Sequence, residues 1–241
     1  MGKIVALIPA RAGSKGVQHK NLRTIAGKSL LSWSINACLK VRKIDRVVVS
    51  TDSEEYRQHS EAEGAEVPFL RPPEISGDKS TDFEFIRHAL DQFAREGKSP
   101  DFIVHIRPTT PLRDPDVIGR AIEQFTSSIE HTALRSVHEM SETAYKCFEI
   151  NSAGMLRKIG SSGTDLDSAN EARQAFPKTY HANGYVDVLS REFIDRNKRI
   201  HGDRVVGFLT PTGWEVDTPA DLEFVEWKAK CEKTIFEKIF G

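Results

Sequence analysis

A basic, glycine-bearing loop near the N-terminus is the clearest candidate in the sequence for a site that binds an anion. The apolar run at residues 4–8 is typical of a buried strand, and the loop begins directly after Pro9. The charged and flexible residues of the loop are Arg11, Gly13, Lys15, Gly16 and Lys20. In an open α/β sheet this loop would lie beyond the carboxyl end of the first strand, where such sheets bind ligands. Glycines there let backbone N–H groups approach an anion, so the pattern favours a polyphosphate site over a solvated basic loop.

The two best-known phosphate-binding motifs do not account for this loop. The dinucleotide-binding pattern G-x-G-x-x-G is missing, because Gly13 and Gly16 have the wrong spacing. Residues 27–29 (Gly-Lys-Ser) resemble the end of a P-loop, but Leu22 stands where the first glycine of that motif is required. The loop therefore needs another explanation.

Four segments of the chain resemble the signature segments of the acylneuraminate cytidylyltransferases, the CMP-sialic acid synthetases. They are residues 9–16 with Lys20 and Asn21, residues 71–74 with Ser80, residues 107–113, and residues 215–219. The first segment is specific by itself, and the other three gain weight because they follow in the family's order. The chain is therefore similar to this family from end to end.

The resemblance implies a reaction in which CTP activates a sialic-acid-like nonulosonic acid, giving a CMP-sugar and pyrophosphate. Negative charge builds up on the departing pyrophosphate and must be neutralised, which Arg11 and Lys20 are implied to do. The residues implied to bind CTP are Ala10, Arg11, Ser14, Lys20, Asn21, Arg71 and Ser80. For Ser14 a hydroxyl that stabilises the loop is an equal alternative, and Arg71 could instead pair with Glu74 or Asp78.

Two late acidic residues are candidates to hold a divalent cation. This chemistry normally uses Mg²⁺, which proteins hold through one or two carboxylates together with phosphate oxygens. The resemblance assigns this role to Asp217, and also makes it a catalytic residue. Glu215 stands where the sialic acid enzymes usually have aspartate, and its longer side chain could still reach the metal. The alternative for Asp217 is an interaction with the dipole of the helix that follows.

Arg107 is the main departure from the family, because the sialic acid enzymes have a glutamine there that faces the sugar. An arginine adds charge and a planar fork suited to a carboxylate, so we expect Arg107 to adapt the acceptor pocket to a sugar other than N-acetylneuraminate. The alternative is an ion pair with Asp114 or Asp116. The other residues implied to contact the acceptor are Thr109, Asn183 and Gly184.

Composition argues against nucleic acids and membranes as partners. The net charge is −1 over 241 residues, so no overall field attracts the chain to either of them. The longest apolar runs have only the length of a strand, and the N-terminus lacks the pattern of a signal peptide. The three cysteines are scattered without a C-x-x-C pair. They predict reduced thiols and a cytoplasmic location.

Alternating strand and helix patterns in the first half predict an α/β fold, with a mostly parallel sheet and helices on both faces. By resemblance we expect one domain, residues 1–241, of the nucleotide-diphospho-sugar transferase type. From residue 131 to residue 190 the pattern changes, and we expect a small projecting β-rich element that includes a hairpin around the turn at residues 151–154. The resemblance implies that this element joins two chains in a homodimer. After Thr218, which has the character of an N-cap, we expect one long final helix.

Three alternative functions remain open on the sequence. The string Asp165-Leu166-Asp167 matches the D-x-D that related glycosyltransferases use to hold a metal, although it lies in a loop-like stretch. The same reaction could also use another nucleotide, or an octulosonic acid such as Kdo. Lastly, the chain could be a relative that binds nucleotides without turnover, since Arg107 and Glu215 depart from the family pattern.

Overall fold

The computed structural model describes residues 2–13, 16–128, 130–159 and 166–241. Within these residues the chain forms ten strands and seven α-helices. The strands are β1 Ile4–Pro9, β2 Thr24–Ile25, β3 Lys28–Ser29, β4 Arg46–Ser50, β5 Phe102–His105, β6 Ala133–Glu139, β7 Phe148–Ile150, β8 Leu156–Lys158, β9 Tyr180–Ser190 and β10 Val205–Leu209. The helices are α1 Leu30–Leu39, α2 Glu54–Ala62, α3 Asp82–Arg95, α4 Pro115–Thr126, α5 Arg191–Asn197, α6 Pro219–Cys231 and α7 Lys233–Phe240.

The central sheet confirms the prediction of a mostly parallel α/β fold. Its strand order is β10–β6–β9–β5–β1–β4. β1 pairs in parallel with β4 and β5, and β10 pairs in parallel with β6, whereas β9 runs antiparallel between β5 and β6. The parallel strands β1, β4 and β5 therefore end at the same edge of the sheet, which is where open sheets of this kind bind ligands.

Helices cover both faces of the sheet, and β1 has apolar side chains on each of these faces. Ile4, Ala6 and Ile8 belong to a buried cluster that includes side chains from α1, α4, α6 and α7. Val5 and Leu7 point the other way, into a second cluster formed mainly by α3. A strand that is buried on both faces needs no polar alternation, which explains the unbroken apolar run in the sequence.

The end of the chain follows the predicted start of a helix but not its predicted length. Thr218 and Asp221 form a capping box with Pro219 at the first helical position, as expected. The expected single helix is instead two helices, because Glu232 leaves the helical conformation between α6 and α7. This break allows the aromatic rings of α7 to pack against the buried Trp33 of α1. None of the helices in the described ranges is long and apolar enough to cross a bilayer.

The projecting element is smaller than the predicted interval 131–190, which needs correction. Its two ends, β6 and β9, belong to the central sheet, where β9 pairs with both β5 and β6. Buried apolar side chains such as Val186 and Val188 anchor β9 there, and the sequence change at residue 131 leads into β6, a strand of the central sheet, rather than into a new unit. Residues 140–159 and 166–179 lie outside the central sheet, and the first of these ranges contains the predicted hairpin, β7–β8. We call residues 140–179 the hairpin extension; its residues 160–165 lie outside the described ranges.

Candidate active site

A cleft of about 430 Å³ lies at the carboxyl ends of β1, β4 and β5. It brings together most of the residues that the sequence predicted to bind CTP, to hold the metal or to contact the acceptor. Those that line it are Arg11, Lys20, Asn21, Arg71, Ser80, Arg107, Thr109 and Asp217. These residues come from four separate segments, so the cleft is a site formed by the fold rather than by one loop.

Lys20 and Asp217 form an ion pair at one end of the cleft, with 2.8 Å between Nζ and Oδ1. Lys20 is mostly buried, whereas the Asp217 side chain is 65% exposed. The first loop can approach the 215–219 segment because Gly16 has no side chain. A Cβ there would lie 2.6 Å from the Asp217 carbonyl oxygen, which is too close for any other residue without a backbone shift. Gly16 therefore allows the cation and the acid to meet.

Arg11 lies across the cleft from the loop that carries Ser80. Its Nη1 is 2.7 Å from Oδ1 of Asp78. The Arg11 carbonyl accepts a hydrogen bond of 3.2 Å from Nδ2 of Asn21, which is buried. Ala10 is fully buried, and its N–H donates to the Ser50 carbonyl, so its contribution is to extend the contact between β1 and β4. Ser14 and Lys15 lie outside the described ranges.

Arg71 reaches the cleft from the loop after β4, held by Ser50 and Phe85. Its Nε and Nη2 donate to the hydroxyl and the carbonyl of Ser50, at 3.1 Å and 2.5 Å. The guanidinium lies 4.8 Å from the centre of the Phe85 ring. Burial lowers the pKa of Arg71 to about 10, which leaves it charged at neutral pH. Ser80 is half-buried, and its N–H donates to the Gly77 carbonyl.

Arg107 forms two ion pairs in the wall of the cleft, and neither is the pair considered on the sequence. Its Nη2 is 2.7 Å from Oδ2 of Asp82, and its Nη1 is 3.2 Å from Oδ2 of Asp187. The alternative partners, Asp114 and Asp116, both bind Lys238 of α7 instead. That alternative was therefore right about pairing in general and wrong about the acids, because α4 points them toward the C-terminal helix.

Two titratable groups behind Arg107, His105 and Asp187, are buried and have strongly shifted pKa values. His105 is fully buried, and burial together with the Arg107 charge lowers its pKa to about 3. Burial raises the pKa of Asp187, but the nearby His201 ring, with Nε2 at 3.9 Å from Oδ2, and the Arg107 charge outweigh it and hold that pKa at about 2. At neutral pH His105 is therefore neutral, while Asp187 carries a buried negative charge that Arg107 balances.

The lowered pKa of the buried His105 ring makes the stability of the fold depend on pH. Its ring nitrogens find no hydrogen-bond partner within the described part of the chain. The unfolded chain binds a proton on this histidine below about pH 6.5, and the folded chain does so only near pH 3. The free energy of unfolding should therefore fall as the pH drops through this window, by up to about 1.4 kcal/mol per pH unit. Between pH 6 and pH 4 the native chain should lose about 2 kcal/mol more than a His105→Leu variant, measured by urea unfolding. Parallel losses in the two proteins would contradict this assignment.

Asn183 and Gly184 lie behind the cleft wall rather than among its lining residues, and their contact with the acceptor stays a prediction. Nδ2 of Asn183 donates to Oγ1 of Thr210 at 2.7 Å, and its Oδ1 accepts from the Tyr185 N–H. Gly184 has a φ of +62°, and a Cβ there would lie 3.5 Å from the Arg107 side chain. The Asn-Gly pair marks the irregular part of β9, where the asparagine side chain satisfies backbone groups of the strand.

The two candidate metal ligands lie two residues apart and are both exposed. Oε1 of Glu215 accepts a hydrogen bond of 3.0 Å from the Thr109 hydroxyl, next to the Lys20–Asp217 pair. Across the described ranges, no cluster of three or more metal-binding side chains occurs. This donor set fits Mg²⁺, which is commonly held by one or two carboxylates with substrate phosphates and water, and does not fit a cation that needs an all-protein site.

Asp167 of the alternative D-x-D motif does not line this cleft. Asp167 begins a short 3-10 turn, Asp167–Asn170, in the hairpin extension. Asp165 lies outside the described ranges. Neither the position nor the surroundings of Asp167 resemble the end of a buried strand, so the structure offers no support for a glycosyltransferase site there.

Arg113 is the last residue of the 107–113 segment, and the sequence predicted no role for it. It is fully buried, and its guanidinium donates to the carbonyls of Tyr185, Gly184 and Arg107 and to the hydroxyl of Ser34. These bonds fasten the 107–113 segment to β9. Asp82 and Asp187 were missed as partners of the cleft cations, whereas Asp78 was considered for Arg71 and pairs with Arg11 instead. Only Asp82 had a local signal, since Thr81 and Glu84 form the capping box that starts α3 beside it.

Comparison with known proteins agrees with this geometry. Residues 5–205 match the model of a family described as cytidylyltransferase. An N-acylneuraminate cytidylyltransferase of Escherichia coli is 29% identical over 92% of the chain, and the match covers 50% of that protein. A CMP-N,N′-diacetyllegionaminic acid synthase of Legionella pneumophila is 30% identical over 93% of the chain and 95% of its own length. The chain thus spans about half of the first relative and nearly all of the second.

A solved structure of a CMP:2-keto-3-deoxy-manno-octonic acid synthetase, complexed with CTP, has the same fold. It superimposes with a TM-score of 0.72 at 16% identity, covering 95% of this chain and 99% of that one. This likeness confirms the predicted fold type. With the family match over residues 5–205, it leads to one conclusion: the chain belongs to the cytidylyltransferase family.

Proposed function

We propose that the chain transfers a cytidylyl group from CTP to a sialic-acid-like nonulosonic acid, giving a CMP-sugar and pyrophosphate. The observation that carries the proposal is the meeting of Arg11, Lys20 and Asp217 in one cleft at the end of β1. Arg71 lies in the same cleft. Two cations and an exposed acid at one point suit a triphosphate whose charge shifts toward the leaving group.

In the proposed reaction the C2 hydroxyl oxygen of the sugar forms a bond to the α-phosphorus of CTP. The bond between the α-phosphorus and the oxygen that bridges to the β-phosphorus breaks, and pyrophosphate leaves with that oxygen and its electron pair. The proton of the C2 hydroxyl passes to water. Lys20 and Arg11 would neutralise the charge on the leaving group. Asn21 would hold the loop that carries Arg11, since its side chain already binds the Arg11 carbonyl. Arg71 and Ser80 would contact the base and ribose.

Asp217 and Glu215 would hold Mg²⁺ in this scheme. Bound there, the ion would supply positive charge to the phosphates and help to order them for attack. Asp217 lines the cleft, whereas Glu215 reaches it through the Thr109 hydroxyl. We therefore propose Asp217 as the main protein ligand.

Replacing Asp217 with asparagine should weaken metal use more than nucleotide binding. The amide keeps the shape but loses the negative charge that a hard cation prefers, so the Mg²⁺ concentration for half-maximal activity should rise by about 10-fold or more. The measurement is a Mg²⁺ titration of pyrophosphate release. Glu223→Gln is the matched control, because Glu223 is exposed on α6, the helix that follows Asp217, and lies outside the cleft. Identical titrations of the native chain and Asp217→Asn would contradict the assignment.

The assay that tests the proposal measures pyrophosphate release for four nucleotides against three sugar acids. CTP, GTP, UTP and ATP are each combined with N-acetylneuraminic acid, N,N′-diacetyllegionaminic acid and Kdo in the presence of Mg²⁺. Release that depends on CTP and on a nine-carbon acid supports the proposal. Release with another nucleotide, or with Kdo alone, would keep the chemistry and change the substrate. No release with any pair would contradict it.

We also propose that the chain forms a homodimer through the hairpin extension. The extension exposes six large apolar side chains: Tyr145, Phe148, Ile150, Met155, Leu156 and Ile159. Such a concentration of exposed apolar residues is typical of an interaction surface, and the resemblance to the acylneuraminate family implies pairing through this part of the chain.

We also propose a reducing, cytoplasmic location for the protein. Its three cysteines are free thiols, which fits such a compartment.

A double variant, Ile150→Asp with Leu156→Asp, should dissociate the proposed dimer. Two charges in an apolar interface should weaken association at least about 100-fold, because each would be desolvated without a partner. Sedimentation velocity at micromolar concentration should then show a monomer of 27.0 kDa. Leu209→Asp is the control, since Leu209 is similarly exposed but lies at the end of β10. A native chain that already sediments as a monomer would contradict the proposal.

A further inference from the structure

Each of three cations in the cleft is paired with a carboxylate that also lines the cleft or its entrance. The pairs are Arg11 with Asp78, Lys20 with Asp217, and Arg107 with Asp82. In every pair the acid is the more exposed partner, at 36%, 65% and 38% of its side chain. The cleft thus balances these three positive charges with acids that are more accessible to solvent than their partners. An anionic substrate that binds one of these cations must share it with the acid or displace the acid.

Arg107 is unlike Arg11 and Lys20 because it has a second, immobile partner. Asp187 is 1% exposed and lies in β9, opposite His105 of β5 in the register of the sheet. Asp82 is the first residue of α3 and lines the cleft. Breaking the pair with Asp187 would leave a buried charge without compensation, which costs several kcal/mol. The Asp82 side chain is partly exposed, at 38%, so water can hydrate its carboxylate when the pair with Arg107 breaks. Asp187 therefore fixes one arm of the guanidinium, and Asp82 holds the other arm less tightly.

We propose that Arg107 binds the carboxylate of the acceptor acid, which displaces Asp82 from Nη2 while Asp187 keeps the guanidinium in place. This inference rests on the proposed function in one respect, since it requires an acceptor that carries a carboxylate. The planar fork of arginine suits a carboxylate, and a neutral glutamine cannot provide the same charge. Arg107 is then the specificity-determining residue for the acid group, and Asp187 is its positioning residue.

The inference predicts that replacing Asp82 affects binding of the acid, whereas replacing Asp78 affects binding of CTP. Asp82→Asn removes the internal competitor, so KM for the acid should fall about 3- to 10-fold while KM for CTP changes less than about twofold. Asp78→Asn is the matched control, because Asp78 pairs with Arg11 at the phosphate end. It should change KM for CTP and leave KM for the acid nearly constant.

The Arg107 variants test the carboxylate contact itself. Arg107→Gln alone leaves Asp187 buried without its cation, so the variant could fail to fold. The double variant Arg107→Gln with Asp187→Asn removes both charges and keeps two amides that can hydrogen-bond. It should fold, as judged by thermal unfolding, and should keep KM for CTP within about threefold. Its KM for the acid should rise about 10- to 100-fold, the loss expected for one charged hydrogen-bonded contact.

The deciding experiment compares each acid with its 1-carboxamide, which has the same shape without the charge. The probes are N-acetylneuraminic acid and N,N′-diacetyllegionaminic acid with their amides, and the readouts are KM and, by calorimetry, Kd. The native chain should prefer the acid at least about 10-fold, and the double variant should lose that preference. A preference that survives in the double variant, or a higher KM for the acid in Asp82→Asn, would overturn the inference. Turnover by the native chain would meanwhile leave the proposed function standing, whereas absence of both turnover and binding would overturn both proposals.

Discussion

Lys20→Ala is expected to lower kcat/KM for CTP by about 10²- to 10³-fold, equivalent to roughly 3–4 kcal/mol of transition-state stabilisation. Lys20 is largely buried beside Asp217, at the end of the cleft where the first loop meets the 215–219 segment. Charge on the leaving pyrophosphate grows as the bond to the α-phosphorus breaks. A preorganised ammonium at this point therefore contributes more to the transition state than to binding of CTP.

Two controls separate this role from general effects of charge and folding. Lys178→Ala removes an exposed lysine in the hairpin extension and should leave kcat/KM within about twofold. The thermal midpoint of Lys20→Ala should stay close to the native value, since its ion pair with Asp217 involves an exposed acid. A Lys20→Ala enzyme that keeps kcat/KM within about 10-fold of the native value would show that another group neutralises the leaving group.

Arg113→Met should lower the free energy of unfolding by about 3–5 kcal/mol, which is a large part of the stability of a typical domain. Nε of Arg113 donates to the Tyr185 carbonyl at 2.6 Å, and Nη2 donates to the Gly184 carbonyl at 3.0 Å and to the Arg107 carbonyl. Methionine fills a similar volume but leaves these buried acceptors unsatisfied. Each buried acceptor left without a donor costs about 1–3 kcal/mol.

A lysine variant and a surface control test whether the arginine fork itself holds the 107–113 segment against β9. Burial lowers the pKa of Arg113 to about 10, so it stays charged at neutral pH and can serve all its acceptors. Arg113→Lys should also be destabilised, because one ammonium cannot reproduce the fork that spans the 107–113 segment and β9. Arg199→Met, at an exposed position, is the matched control for urea unfolding. A loss below about 1 kcal/mol in Arg113→Met would show that other contacts hold the segment.

Features carried by neighbouring residues could be predicted from the sequence. The unbroken apolar run of β1, followed by a glycine-bearing basic loop, located the cleft at the end of the first strand. The Thr218–Asp221 capping box located the start of α6 and placed Asp217 directly before it. Both signals are local, because strand burial and helix capping depend on residues a few positions apart.

Features that depend on distant pairing could not be predicted in this way. Arg107 meets acids that are 25 and 80 positions away in the chain. The pairing of β5 with β9 brings Asp187 beside it, and the packing of α3 brings Asp82. The sequence pattern of β9 did not show that it returns antiparallel into a parallel sheet, so residues 180–190 were assigned to the projecting element. Asn183 was assigned to the acceptor pocket from the resemblance to the family, which does not show that its amide supports the irregular backbone of β9.

The most direct test of the central claim is the mass of the product formed from CTP and a nonulosonic acid. The native chain, Mg²⁺, CTP and N,N′-diacetyllegionaminic or N-acetylneuraminic acid are incubated, and the mixture is analysed by mass spectrometry alongside pyrophosphate. The account predicts a CMP-sugar in equal amount to the pyrophosphate, and neither product without the acid. Pyrophosphate with free CMP, or a product that contains another nucleotide, would contradict the account.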